Sequence, residues 1–214
     1  KWADKVLAEL SGAVGEDELS IIAVGQKGVM STLPALARLE RPGGLSPTFT
    51  VLRISPEEVH QHAPRSDFYV DGMNHYRLVL PSVSRWEDQA ARDQRTADVR
   101  FPVSTKTEVM RLAKAIAARS KMMPLGRTVM VETSLAGVEA GARLRVSRLV
   151  HAVSRAYGWQ VNPNDASRPT RSFRCAVTMG KDEAAPREGA EHPDTIRVEV
   201  IPDGPVGGTA LSPA

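Results

Sequence analysis

From residue 99 onward the chain switches repeatedly between the strand period and the helix period, and few folds accept that order. "VRFPVS" (99–104) is a short apolar run of strand type. Thr105 stands three residues before Glu108, the spacing of a capping box, so a helix is predicted to begin there. Its apolar residues Val109, Leu112, Ala113 and Ile116 follow helical spacing. "TVMVET" (128–133) is β-rich. A second helix is predicted over roughly 136–157, with Val146, Leu149, Val150, Val153 and Tyr157 as its apolar stripe and Gly158 as its stop. "RSFRCAVTMG" (171–180) and "TIRVEVI" (195–201) alternate as strands around an acidic, Pro-containing loop expected to be mobile. The order is βαβαββ. Parallel strands joined by helices and closed by an antiparallel pair give an α/β fold of two layers: a four-stranded mixed sheet with two helices on one face.

Residues 1–82 follow the same plan in shorter form. "WADKVLAEL" spaces Trp2, Val6 and Leu10 as a helix, "LSIIAVG" (19–25) is a strand, and "STLPALARLE" (31–40) starts a helix with Pro34 in its first turn. "TFTVLRIS" (48–55) and "HYRLVLP" (75–81) are strands flanking a long loop, 56–74. "SIIAVGQKGV" corresponds in role to "TVMVETSLAGV", placing Gly28 with Gly137, and "YRLVLP" to "TIRVEVIP", placing Arg77 with Arg197. The first strand of the plan is missing from this half, because the sequence begins inside its first helix. The expected organisation is therefore a divergent unit over 1–82, a polar linker over 83–98, a second unit over 99–202 and a flexible tail over 203–214. Trp86, the one large apolar residue of the linker, is expected to dock on a neighbouring surface.

Charge separates the two units. Residues 1–82 hold eight Lys/Arg against ten Asp/Glu, whereas residues 99–181 hold fifteen against four, a net +11. Such a concentration favours a polyanionic partner. There is no apolar run of about 18 residues, so no membrane span is expected. The lone Cys175 excludes an internal disulfide framework and points to a reducing, intracellular compartment. The sequence starts at Lys1 without a methionine, for which removal of an organellar import segment is one explanation; the mitochondrion is the expected location, with the cytoplasm as alternative.

"VSTKTEVMRLAKAIA" resembles the first strand, lysine loop and first helix of the Alba superfamily, including its stage V sporulation protein S-like domains. "VMVETSLAGVEAGARLRVSRLVHAVSRAYG" resembles that superfamily's second strand, glycine turn and second helix, and "TIRVEVIP" its closing strand. The likeness covers about 99–202 and, more faintly, 1–82. It implies a nucleic-acid-binding fold, usually dimeric, here with two copies fused in tandem. Alba proteins often carry two adjacent lysines in the first loop; this chain has Lys106 alone, with Glu132 on the second strand where the family is often basic.

Three groups of residues are candidates for holding phosphate. The first is the predicted loop at a helix start, where Lys106 adds charge and Ser104, Thr105 and Thr107 add hydroxyls. The second is a pair of basic helix stripes: Arg111, Lys114 and Lys121 on one helix, and Arg145, Arg148 and Arg155 with Arg143 on the next. The third is the Pro/Ser/Asn segment "NPNDASRPTRSFR", with Arg168, Arg171 and Arg174 for backbone and Asn162 and Asn164 for bases. Aromatic platforms are scarce: Phe173 and Trp159 are the nearby candidates, and both are expected in the core. His60, His62 and His75 lack a fixed metal geometry, and no P-loop, GxSxG, HExxH or paired-carboxylate motif occurs. The expectation is a non-catalytic RNA-binding protein without cofactor, metal or small-molecule substrate. Residues 1–82 would meet other proteins of a ribonucleoprotein assembly. A protein-interaction scaffold and a DNA-binding protein are the alternatives.

Overall fold

Each half of the chain builds its own sheet, and the two share a core. The structure, a computed structural model, describes residues 2–13, 18–40, 44–62, 73–160, 172–181 and 194–203. The first half runs α1 (Trp2–Ala13), β1 (Leu19–Val24), α2 (Gly25–Arg38), β2 (Thr50–Ile54), α3 (Pro56–His62) and β3 (His75–Leu80). A 3-10 turn (Val83–Arg85) and the short α4 (Gln89–Asp93) follow. The second half runs β4 (Thr96–Pro102), α5 (Val109–Met122), β5 (Arg127–Ser134), α6 (Glu139–Gln160), β6 (Phe173–Lys181) and β7 (Asp194–Pro202). The fold is thus mixed α/β with two sheets.

The second sheet has the order β4-β5-β7-β6, with β4 parallel to β5 and the remaining pairs antiparallel. The first sheet has three strands, β1-β3-β2, all antiparallel. Among the described residues the first half is therefore not a four-stranded mixed sheet. Its order nevertheless matches the second sheet once β4 is set aside. Register sharpens the match. Arg77 lies opposite Leu52, and Arg197 lies opposite Thr178. Three residues earlier on those outer strands stand Phe49 and Cys175. These two residues pair with each other across the edges of the two sheets, Phe49 N–H donating to Cys175 O at 2.8 Å and Cys175 N–H to Phe49 O at 2.7 Å. Helix α2 packs on α6 and β6, and α6 packs reciprocally on β2. One buried cluster runs from Ala23 and Leu33 in the first half to Leu149 and Val200 in the second.

Several element boundaries differ from those predicted, each for a local reason. Helix α5 starts at Val109 with Glu108 as N-cap and no side-chain cap bond, so the Thr105/Glu108 box does not form. Strand β4 begins at Thr96, inside the predicted linker, and carries an irregularity between Ala97 and Val99. Gly158 does not stop α6. The helix continues to Gln160, whose fully buried amide donates to Ala117 O (3.1 Å) and Ser120 Oγ (2.6 Å) and ties the C-terminal ends of α5 and α6 together. Truncation removes both buried hydrogen bonds and the side chain that fills the space between the helix ends, although Ala117 O keeps the Ser120 hydroxyl as donor. Gln160→Ala is accordingly expected to lower stability by about 2 kcal/mol in a chemical denaturation experiment. Helix α2 starts at Gly25, so Pro34 lies in its interior rather than in its first turn. The preceding Ser31 and Thr32 hydroxyls bond back to Lys27 O and Gly28 O, an arrangement that bends helices and suits the missing proline N–H. The strand-to-helix glycines with positive φ are Gly25 (61°) and Gly137 (87°); Gly28, placed with Gly137 by the sequence, lies inside α2.

The predicted linker is built into both halves. Trp86 is buried, and its indole N–H donates to Pro81 O at 3.0 Å. Arg92 reaches back to Ser46 Oγ and Gly44 O, both at 2.7 Å. Glu87 pairs by backbone with Ser46, while its carboxylate faces the second sheet. Cys175 is fully buried, and burial pushes its thiol well above the ordinary range, so it is a core residue rather than a reactive one. Among the described residues no helix is long and apolar enough to cross a membrane.

Candidate nucleic-acid interface

The loop between β4 and α5 folds on itself. Val103 N–H donates to Glu132 O and Val103 O accepts from Thr133 Oγ1, both at 2.8 Å, which fixes the loop on β5. Ser104 N–H donates to Thr107 Oγ1 at 2.8 Å, Thr107 N–H to Ser104 O at 3.2 Å, and Lys106 N–H to Ser104 Oγ at 3.2 Å. Ser104 and Thr107 therefore close the turn that Thr105 and Glu108 were predicted to close. The Ser104, Lys106 and Thr107 amides and the Ser104 and Thr107 hydroxyls are thus engaged with each other. Exposed on the loop are Ser104, Thr105 and Lys106, with the Glu108 carboxylate at the helix N-cap also exposed.

Helix α5 turns Leu112, Ala113, Ile116, Ala117 and Ser120 inward. Arg111, Lys114 and Lys121 lie on the opposite, exposed side, as the spacing predicted. Arg119 joins them there; the sequence signal was present but off the three-and-seven line. The helix has these four bases and no acid. No carboxylate among the described residues pairs with any of them or with Lys106. Their charges are uncompensated and solvated, which suits a mobile polyanion backbone.

Helix α6 behaves differently. No residue from Gly141 to Tyr157 is fully exposed, because the helix is packed by α5 on one flank and by α2 and β2 on another. Its arginines are drawn into the protein. Arg143 pairs with Glu139. Arg145 donates to Ser134 O at 3.0 Å and also to Ala136 O. Arg148 donates to Thr107 O, which holds the Lys106 loop against α6. Arg155 donates to His151 Nε2 at 3.3 Å. Arg145 and Arg148 keep their charge, since carbonyls do not cancel it, but their forks position the two loops. The predicted pair of solvent-facing stripes is thus one exposed stripe, on α5, and one structural row, on α6.

Arg174 is also structural. It pairs with Glu87 at 2.8 Å and with Asp203, and Glu87 is shared with Arg95, which reaches Glu199 at 3.0 Å. Burial alone would raise the Glu87 carboxyl, but hydrogen bonds from Arg174 and Arg95 outweigh it and hold the group below its ordinary range. A fully engaged cation of this kind is unsuited to gripping an external phosphate. Arg168, Arg171, Asn162 and Asn164 lie outside the described residues.

No family model, no curated protein and no solved structure matches this chain. The candidate interface accordingly stands on its geometry: Lys106, Arg111, Lys114, Arg119 and Lys121, carried by a loop and a helix that α6 holds in place.

Proposed function

We propose that this chain is a non-catalytic RNA-binding protein composed of two Alba-like units, with RNA held by the second. The observation that carries this reading is the α5 face: four bases, no acid, and no internal carboxylate to occupy them. Such contacts grip backbone rather than read bases, so binding is expected to be strongly salt-dependent and weakly sequence-dependent. The two-unit reading draws support from the shared strand order and from the Phe49–Cys175 pair, because equivalent residues that meet each other fit a two-fold relation between halves. In this reading residues 1–82 complete a dimer-like body and face other proteins of a ribonucleoprotein assembly, such as an organellar ribosome or an RNA-processing complex of the mitochondrion.

A second reading, a protein-interaction scaffold, is favoured by the exposed Met122 and Leu125 beside Lys121. Both readings are tested by binding of RNA, duplex DNA and single-stranded DNA at low salt. RNA is expected to bind most tightly, and the combined substitution of Arg111, Lys114 and Lys121 by glutamate is expected to weaken it about tenfold or more, equally for unrelated sequences. Absence of RNA binding at low salt favours the scaffold; tighter binding of duplex DNA favours a DNA-binding role.

A further inference from the structure

A cleft of about 680 Å³ opens where β2 and the start of α3, in the first half, meet the C-terminal part of α6 in the second. That size lies within the usual range of small-ligand sites. It is separate from the Lys106 loop, which Arg148 holds two turns earlier on α6: Arg148 and Arg155 are about 10 Å apart along the helix axis.

The lining combines two guanidiniums with an apolar, aromatic wall. Arg53 comes from β2 and Arg155 from α6. Neither is paired with a carboxylate among the described residues. Both act on the same ring: burial first, then the charges of Arg53 and Arg155, lower the pKa of His151, whose Nε2 accepts from Arg155 Nε. Two positive groups from different halves therefore converge. Glu58 is the one carboxylate among the described lining residues, and it is occupied, accepting the Ser55 N–H at 2.7 Å at the start of α3. The apolar wall includes Trp159, which the sequence placed in the core, and Met73, both large side chains left substantially exposed (36% and 47%). Guanidiniums favour phosphate through planar, paired donation, and an exposed indole offers a stacking face to a nucleobase.

We propose that this inter-half cleft binds a nucleoside monophosphate unit, its phosphate on Arg53 and Arg155 and its base against Trp159. The unit is either a free nucleotide or one nucleotide of a single-stranded RNA. The site goes beyond the α5 face and does not depend on it.

The test uses the full chain, titrated by calorimetry and tryptophan fluorescence with adenosine monophosphate, uridine monophosphate, uridine and a short oligouridylate. Monophosphates or the oligonucleotide should bind and uridine should not. Arg53→Ala and Arg155→Ala should each raise Kd about tenfold, and Arg155→Lys should recover only part of that loss. Trp159→Ala should weaken binding by a similar factor, whereas Trp159→Phe should keep calorimetric binding and lose most of the fluorescence change. Binding of free monophosphates identifies a nucleotide site; binding of the oligonucleotide alone, sensitive to Arg53→Ala, identifies a strand contact. The proposal is overturned if neither ligand binds, or if both arginine variants bind as wild type does. Failure of the α5 reading is separable: the α5 charge-reversal variant should retain nucleotide binding, and loss of RNA binding in that variant with an inert cleft would sink only the present proposal.

Discussion

Replacing Glu87 by glutamine is expected to lower the unfolding free energy by about 3 kcal/mol at neutral pH. The Arg95 side chain is only 7% exposed and that of Glu87 14%, and the same carboxylate serves Arg174. Glutamine keeps the shape but removes the charge, leaving Arg95 in low-dielectric surroundings with Glu199 alone. Breaking a buried pair by changing one partner costs about 3–5 kcal/mol, and the surviving Glu199 contact puts this case at the lower end. A pH dependence distinguishes the charge from simple packing. The Glu87 carboxyl titrates lower in the folded chain than in the unfolded one. Its contribution is therefore complete above the ordinary carboxylate range and is lost as pH falls through the depressed folded value. Denaturation midpoints of wild type and Glu87→Gln should converge as the solution is acidified. A gap that stays constant with pH would mean that shape, not charge, carries the effect.

Phe49→Ala is expected to cost about 4 kcal/mol and to lower the melting temperature by about 10 °C. Phe49 is among the largest fully buried side chains and occupies the junction where the edges of the two sheets meet. The core runs through that junction without interruption. The loss should thus shift a single unfolding transition common to both halves. Two separated transitions in the variant, or a shift confined to one half by hydrogen exchange, would show that the halves fold independently.

The order of elements in the second half was legible because each run is long, periodic and bounded by polar residues. Burial of Cys175 was legible for the same reason, and docking of Trp86 because it is the one large apolar residue in a polar segment. The start of α5 was not: Thr105/Glu108 and Ser104/Thr107 are both plausible turn closures at three-residue spacing, and only the docking of Val103 on β5 selects the latter. Helix α6 misled for a different reason. A helix buried on one side leaves its arginines in water, but α6 is also packed by α2 and β2, so the same residues become tethers for loops. Arg174 could not be assigned from its own neighbourhood, because its partner Glu87 lies 87 residues away and the connected Arg95–Glu199 pair spans 104. The exposure of Arg111, Lys114 and Lys121 on α5 was readable, since a solvated stripe depends on helical spacing alone, whereas Arg119 fell off the line that was followed.

The most direct measurement of the RNA-binding account is the slope of log affinity against log salt for single-stranded RNA, taken on wild type and on the Arg111, Lys114 and Lys121 charge-reversal variant. Each phosphate contact contributes about 0.7 to that slope on a single strand. The account predicts a steep wild-type dependence that becomes shallower by about 2 in the variant, together with weaker binding at low salt. Equal slopes in the two proteins would contradict it, because the exposed bases of α5 would then not be touching RNA.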